Sequence, residues 1–177
     1  MEREELAGRI QVIGFSCIRC GECCRDTEED TGLVMVFPAE IEELSVATGL
    51  KAEDFSRPYP EKVRTPGGGS ITFERCLKQI AGGCIFLDHT RCMAYAARPW
   101  ICRTYPFMLS GDRVVVSPCR GIGQDMAEHG ALEMADLLLA RRAAEQAEGE
   151  RVRGILSSHP FPAGEDVLVD GTGVRVL

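Results

Sequence analysis

Apolar positions recur along the chain with two periods. From Gln124 to about Leu156 they fall near every 3.6 residues, at Met126, Leu132, Ala135, Leu138 and Leu139, which predicts one long amphipathic helix. Gly130 and Gly149 are its weak points. A shorter helix is predicted to open at Pro38 and end at Gly49, with Ile41, Leu44, Val46 and Ala47 on its inner face. Its early acids Glu40, Glu42 and Glu43 then sit where the helix dipole favours negative charge. Alternating or β-branched runs predict strands at Gly32–Phe37, Ser70–Arg75, Cys84–Leu87 and Arg113–Ser117, the last after a Gly111-Asp112 turn. Val-Leu-Val and Val-Arg-Val around Asp170-Gly-Thr-Gly173 predict a C-terminal hairpin within Asp166–Leu177. Residues 51–69, with Pro58, Pro60, Pro66 and Gly67-Gly68-Gly69, read as a loop. Residues 1–16 read as a short helix or extended lead-in. Met93–Ala97 starts a helical stretch that Pro99 breaks or restarts.

These elements predict an α+β fold: a small, irregular, metal-organised domain with short strands, then a long helix and a C-terminal β-hairpin. The expected division is 12–123 for the cysteine-rich part and 124–177 for the helix and hairpin packed on it. A chain of 177 residues can bury a real apolar core. Its net charge of −7 argues against a nucleic-acid binder working through a general basic field. The charged start Met1-Glu-Arg-Glu-Glu5 shows no secretory signal, and no apolar run suffices for a membrane span. The expectation is a cytoplasmic protein.

Nine cysteines change that picture. They are too few for a disulfide scaffold and more than packing needs. A reducing compartment would not keep them as disulfides, which leaves metal binding. Four lie in one compact run, Cys17-x2-Cys20-x2-Cys23-Cys24. Such spacing wraps thiolates round one centre, and Gly21 allows a turn that points amides at sulfur. C-x2-C-x2-C resembles the three-corner ligation of a [4Fe–4S] cluster whose fourth thiolate comes from elsewhere. The same spacing could also build part of a four-thiolate zinc site. The second half is Cys84, Cys92, Cys102 and Cys119, so four plus four suffices for two sites, with Cys76 left over as a core thiol. Adjacent Cys23 and Cys24 are expected to point apart, one toward each site.

Six of the nine cysteines neighbour an arginine: Arg19, Arg25, Arg75, Arg91, Arg103 and Arg120. Arginine suits the compensation of thiolate charge, although Arg outnumbers Lys seventeen to three here and some adjacency follows from that. Phe86, Tyr95, Trp100, Tyr105 and Phe107 crowd the second block and could form a dry shell round a cluster, or simply the core. Spacing and shielding together favour iron–sulfur over Zn2+. His89 beside Asp88 reads as solvated rather than ligating, and so does the acidic run Glu28-Glu29-Asp30.

Three linked strings carry a resemblance: Phe15–Arg25 (F-x-C-x2-C-x2-C-C), Gly83–Asp88 (G-C-I-F-L-D) and Cys92–Phe107 (C-x2-Y-x2-R-P-x2-C-R-x-Y-P-F). Cys119-Arg-Gly-Ile-Gly123 forms a fourth block. Together they resemble the YkgJ-type cysteine-cluster family, described as zinc- or iron-chelating domains. The resemblance covers roughly residues 15–123 and implies eight metal-ligating cysteines: Cys17, Cys20, Cys23, Cys24, Cys84, Cys92, Cys102 and Cys119. The C-x2-C-x2-C-C run with four more cysteines makes an iron–sulfur metalloprotein that carries electrons or serves a partner enzyme the leading expectation, so a protein or redox enzyme is the expected partner, without nucleic acid or membrane. A structural zinc-binding adaptor is the alternative. The family is also similar to a flagellin lysine N-methylase, which makes a component of a protein lysine methyltransferase a third reading. The only glycine-rich element, Gly67-Gly68-Gly69, does not sit at a strand-to-helix switch, and Cys20-x3-Cys24 is followed at position 27 by Thr, so a radical-enzyme motif is not completed.

Overall fold

Leu6, Ala7 and Ile10 form one buried stripe, and Glu4 and Glu5 stand in the first turn, so the lead-in is helical: α1, Arg3–Ile13. Gly14 ends it with φ 69°, its amide donating to the Ile10 carbonyl at 2.9 Å. The computed structural model describes residues 2–25, 32–158 and 164–177. The acidic run Glu28-Glu29-Asp30 lies outside the described residues.

In chain order α1 is followed by a 3₁₀ turn Glu22–Cys24, β1 (Met35–Val36), α2 (Pro38–Thr48), α3 (Ala52–Phe55), β2 (Ser56–Pro58), β3 (Val63–Arg64), β4 (Ser70–Phe73) and β5 (Arg75–Leu77). Then come β6 (Gln79–Ile80), β7 (Gly83–Cys84), β8 (Leu87–Asp88), β9 (Arg91–Cys92), a 3₁₀ turn Tyr95–Ala97 and α4 (Trp100–Thr104). The chain closes with β10 (Phe107–Ser110), β11 (Arg113–Val116), α5 (Glu128–Ser158), β12 (Asp166–Asp170) and β13 (Gly173–Val176). The result is the mixed helix and short-strand architecture that the hydrophobic pattern implies, with the long helix and C-terminal hairpin in place.

Three apolar cores organise it. The first joins α1, the N-terminal half of α5 and the hairpin β10–β11 through Leu6, Ile10, Phe107, Met134 and Leu138. The second lies under the sheet β1-β5-β2 and gathers Val36, Leu44, Phe55, Leu77 and Phe86, with Cys84, Cys92 and Cys102 packed against it. The third sets Val152, Ile155 and Leu156 of α5 on Ile71, Val167 and Val169. At about 1.5 Å per residue α5 spans roughly 46 Å, long enough to serve both the first and third cores.

Several local expectations change. The stretch 51–69 is not a plain loop. It holds α3, β2 and β3, and the glycine triplet turns the β3–β4 hairpin. The strand expected over Ser70–Arg75 breaks at Glu74, whose φ is 61°, so β4 and β5 enter different sheets. The strand expected over Cys84–Leu87 is the junction of two tiny hairpins, β6–β7 and β8–β9. In α2, Val46 is 82% exposed and Glu40 is buried at 6%. The C-terminal hairpin also gains a partner, since β12 runs parallel to β4 with Val167 opposite Ile71.

Candidate metal centre

The N-terminal cysteine run is clipped at both ends. On one side the Gly123 amide donates to the Gly14 carbonyl, and the Ser16 amide to Gly121, each at 3.0 Å. Phe15 pairs with Ile122 there. Gly121 is required by that contact, because a Cβ would lie 2.3 Å from the Ser16 carbonyl oxygen. This clip sets Cys17 against the segment that carries Cys119. On the other side Arg25 pairs with Gly83, setting Cys24 against Cys84, and the Arg25 guanidinium donates to the His89 carbonyl at 2.7 Å. Between the clips Gly21, with φ 76°, lies over Thr90, where a Cβ would come within 3.1 Å of its Cα.

The remaining cysteines arrive on short, tied elements. Cys84 and Cys92 end the two hairpins, joined by Ile85 N–H to Lys78 O (2.9 Å) and Met93 N–H to Phe86 O (2.8 Å). Cys102 sits in α4, whose start is held by Glu40: its Oε2 accepts from Phe37 N at 2.7 Å and its Oε1 from Trp100 N at 2.6 Å. Arg141 of α5 donates to Thr104 Oγ1 at 2.9 Å and holds the other end. The Tyr105 hydroxyl donates to the Pro118 carbonyl and ties α4 to the Cys119 segment.

The thiols form two neighbourhoods. Burial pushes the Cys102 thiol far up, and Cys84, Cys23 and Cys92 add to this as like-charged neighbours. Burial also raises Cys119, and its like-charged neighbours are Cys20, Cys23 and Cys17. Cys23 stands between the groups; its thiol is raised chiefly by the hydrogen bond it shares with Cys24. The two adjacent sulfurs are 3.9 Å apart, so they do not diverge as expected: the single 3₁₀ turn keeps them together.

Three thiols receive an amide two residues ahead. Gly121 N donates to Cys119 Sγ at 3.4 Å; burial raises the Cys84 and Cys92 thiols, and hydrogen bonds from the Phe86 and Ala94 amides oppose that rise. All nine cysteines are free of disulfides. Among the described residues, no three Cys, His, Asp or Glu side chains already stand in a metal-holding arrangement. The donor set nevertheless fits zinc or iron: soft sulfurs, gathered from remote segments, with amides aimed at them to stabilise the thiolate.

Cys76 lies elsewhere. It is fully buried in the middle of β5, and its charged neighbours are Arg57 and Arg75. The His89 side chain is 94% exposed, beside Asp88. The aromatic residues do not form one shell. Phe86 belongs to the second core, Phe107 meets Phe15 edge-on in the first, and Tyr95 is 40% exposed. Sequence adjacency also misplaces some arginines: Arg103 pairs with Glu43 at 2.7 Å and Arg75 with Ser56. One cation near the thiols is not among the six. Arg98 stacks on Tyr95 at 3.7 Å, and its charge partly opposes the rise of three thiols, a rise that comes chiefly from the Cys24 hydrogen bond at Cys23 and from burial at Cys92 and Cys102.

A family model described as "CxxCxxCC: Putative zinc- or iron-chelating domain" matches residues 16–136. The chain belongs to the CxxCxxCC family. It is also similar to an uncharacterized protein of Methanocaldococcus jannaschii, with 28% identity over 154 residues, covering 80% of this chain and 77% of that one. No solved structure gives a significant match. The matched region contains all nine cysteines. No helix among the described residues is long and apolar enough to cross a membrane.

Proposed function

We propose that this CxxCxxCC protein is an iron–sulfur electron carrier, or an accessory to a redox enzyme, built on two sets of four thiolates. In the first set Cys17, Cys20 and Cys23 supply three corners and Cys119 the fourth. In the second, Cys24 joins Cys84, Cys92 and Cys102. The observation that carries the reading is the company of Cys119: its three thiol neighbours are the three cysteines of C-x2-C-x2-C. A cluster there would supply one-electron chemistry. The chain's own part is to hold its potential through the Gly121 amide on Cys119, and to leave Cys17 and Cys23 exposed on the side a partner would approach. Thiolate sets of this kind gather negative charge, which Arg98 and Arg19, both stacked on Tyr95, offset.

A second reading, a structural zinc adaptor, is favoured by one feature. Cys84 and Cys92 end tight hairpins with amides donating to sulfur and pack on the second core, an environment suited to a closed, redox-inert ion. Purification without oxygen separates the two. The iron–sulfur reading expects iron, acid-labile sulfide and visible absorption that bleaches on reduction. Colourless protein with stoichiometric zinc and no sulfide would replace it with the adaptor.

A further inference from the structure

Three of the four buried acids among the described residues, Glu74, Glu148 and Asp170, gather at one corner away from the two thiol neighbourhoods, with the fourth, Glu40, a weaker influence. That corner lies between β4 and β5, where Glu74 takes φ 61°. Its backbone is fixed there: the amide donates to Val169 O at 3.1 Å and the carbonyl accepts from Tyr59 N at 3.2 Å. The neighbours are well satisfied. Glu148 of α5 accepts from Gly171 N at 2.6 Å and from Arg151. Asp170, at the end of β12, accepts from Thr172 N at 2.9 Å and pairs with Arg175 at 3.1 Å. Glu40 is engaged by Phe37 and Trp100, and Arg75 is turned onto Ser56. Glu74 itself is 9% exposed, and its Oε2 is the one buried side-chain oxygen or nitrogen among the described residues with no partner.

An unpartnered carboxylate oxygen facing other carboxylates is surrounded by acceptors. What completes that site is a donor. We infer that Glu74 binds a proton in the folded protein at neutral pH, and that this proton latches α5 and the β12–β13 turn onto the β4–β5 corner. The cation whose charge reaches Glu74 is Arg151, and it is already committed to Glu148. Burial first, then Glu148 and Asp170, push the Glu74 carboxyl up to about 8. The proton is released in mildly alkaline solution, which makes the latch pH-sensitive independently of any metal.

The sign is fixed by linkage. The folded value lies above the ordinary 4.5, so the folded state keeps its proton longer than the unfolded chain. Stability is then lost as pH rises between those values, by roughly tenfold in the unfolding constant per pH unit, and levels off above. Glu74→Gln replaces the O–H donor with an N–H donor that cannot be lost. The test is denaturant unfolding of metal-loaded wild type and E74Q from about pH 5 to about pH 9. The expected result is near-equality at the acid end and an E74Q advantage that grows about tenfold per unit toward pH 8. Glu40 titrates in both proteins, so only its weak coupling to Glu74 enters the difference. An E74Q protein that is uniformly less stable, or that tracks the wild type at every pH, would overturn the inference. So would rescue of wild type at pH 9 by millimolar Mg2+ or Ca2+, since a cation would then be the missing partner. If E74Q does not fold, infrared difference spectra of the wild type alone decide: a buried protonated carboxyl band must disappear between neutral and alkaline pH, and its absence refutes the latch.

Discussion

Cys76 and Cys102 look alike in sequence, each beside an arginine and each near an apolar residue, yet their surroundings differ. Cys76 is fully buried mid-strand, between Met35 and Arg57 in neighbouring strands. Cys102 has three thiols and Arg98 as its charged neighbours. Cys76→Ala should therefore cost only packing, about 1–2 kcal/mol for the lost sulfur contacts, with metal content unchanged. Cys102→Ser should lose one metal equivalent or one cluster while keeping the other set. Metal analysis of both variants beside a denaturation curve checks this. Loss of metal from Cys76→Ala would enlarge the ligand set to nine. The spacing made the ligand candidates legible because thiolates must meet within a short reach of one centre. Arg98 was illegible, since its route to the thiols passes over the Tyr95 ring and not along the chain.

At the scale of elements, helices were read well where a stripe of apolar residues faces one core, as in α5. Misreadings came where a polar group is buried to hold two elements together. Glu40 belongs to the first turn of α2 and looks like a dipole-favoured surface acid. It is instead the joint between α2 and α4, accepting one backbone amide from each side. Nothing local in the sequence marks this, because the Trp100 amide lies sixty residues away. The parallel pairing of β12 with β4 was hidden for the same reason: its register links Val167 to Ile71, and neither strand carries a local sign of the other. Glu40→Ala would leave two half-buried amides without their acceptor, at about 1 kcal/mol each. Because α4 carries Cys102, the same change should weaken metal retention, while Glu42→Ala, at an exposed neighbour, should alter neither. Competition with a chromophoric chelator measures the retention; equal retention in the two variants would show that α4 is placed without Glu40.

At the scale of the whole molecule, the three cores depend on metal to different degrees. The first and third are held by α5 against α1, β10–β11 and the β13-β12-β4-β3 sheet, by apolar contacts and backbone pairing with the Arg3–Asp136 and Glu148–Gly171 contacts added, and none of these involves a thiol. The cysteine segments are otherwise two-residue strands and single turns, too short to be stable alone. Metal binding should then contribute folding energy locally, in residues 15–25 and 78–123, and little in the helices. The molecule carries its own reporter, since Trp100, the sole tryptophan, opens α4 with Arg103 stacked on its ring at 5.2 Å. Chelator titration should shift the Trp100 fluorescence to that of a more solvated indole while most far-ultraviolet helical dichroism remains, because α1 and α5 supply most of the helix. Proton release should be lower when metal rebinds at higher pH, as fewer thiols are then protonated. If fluorescence and dichroism instead collapsed together, α5 would be drawing its stability from the thiolate region, and the metal would be organising the entire fold through the Arg141–Thr104 contact at the α4–α5 crossing.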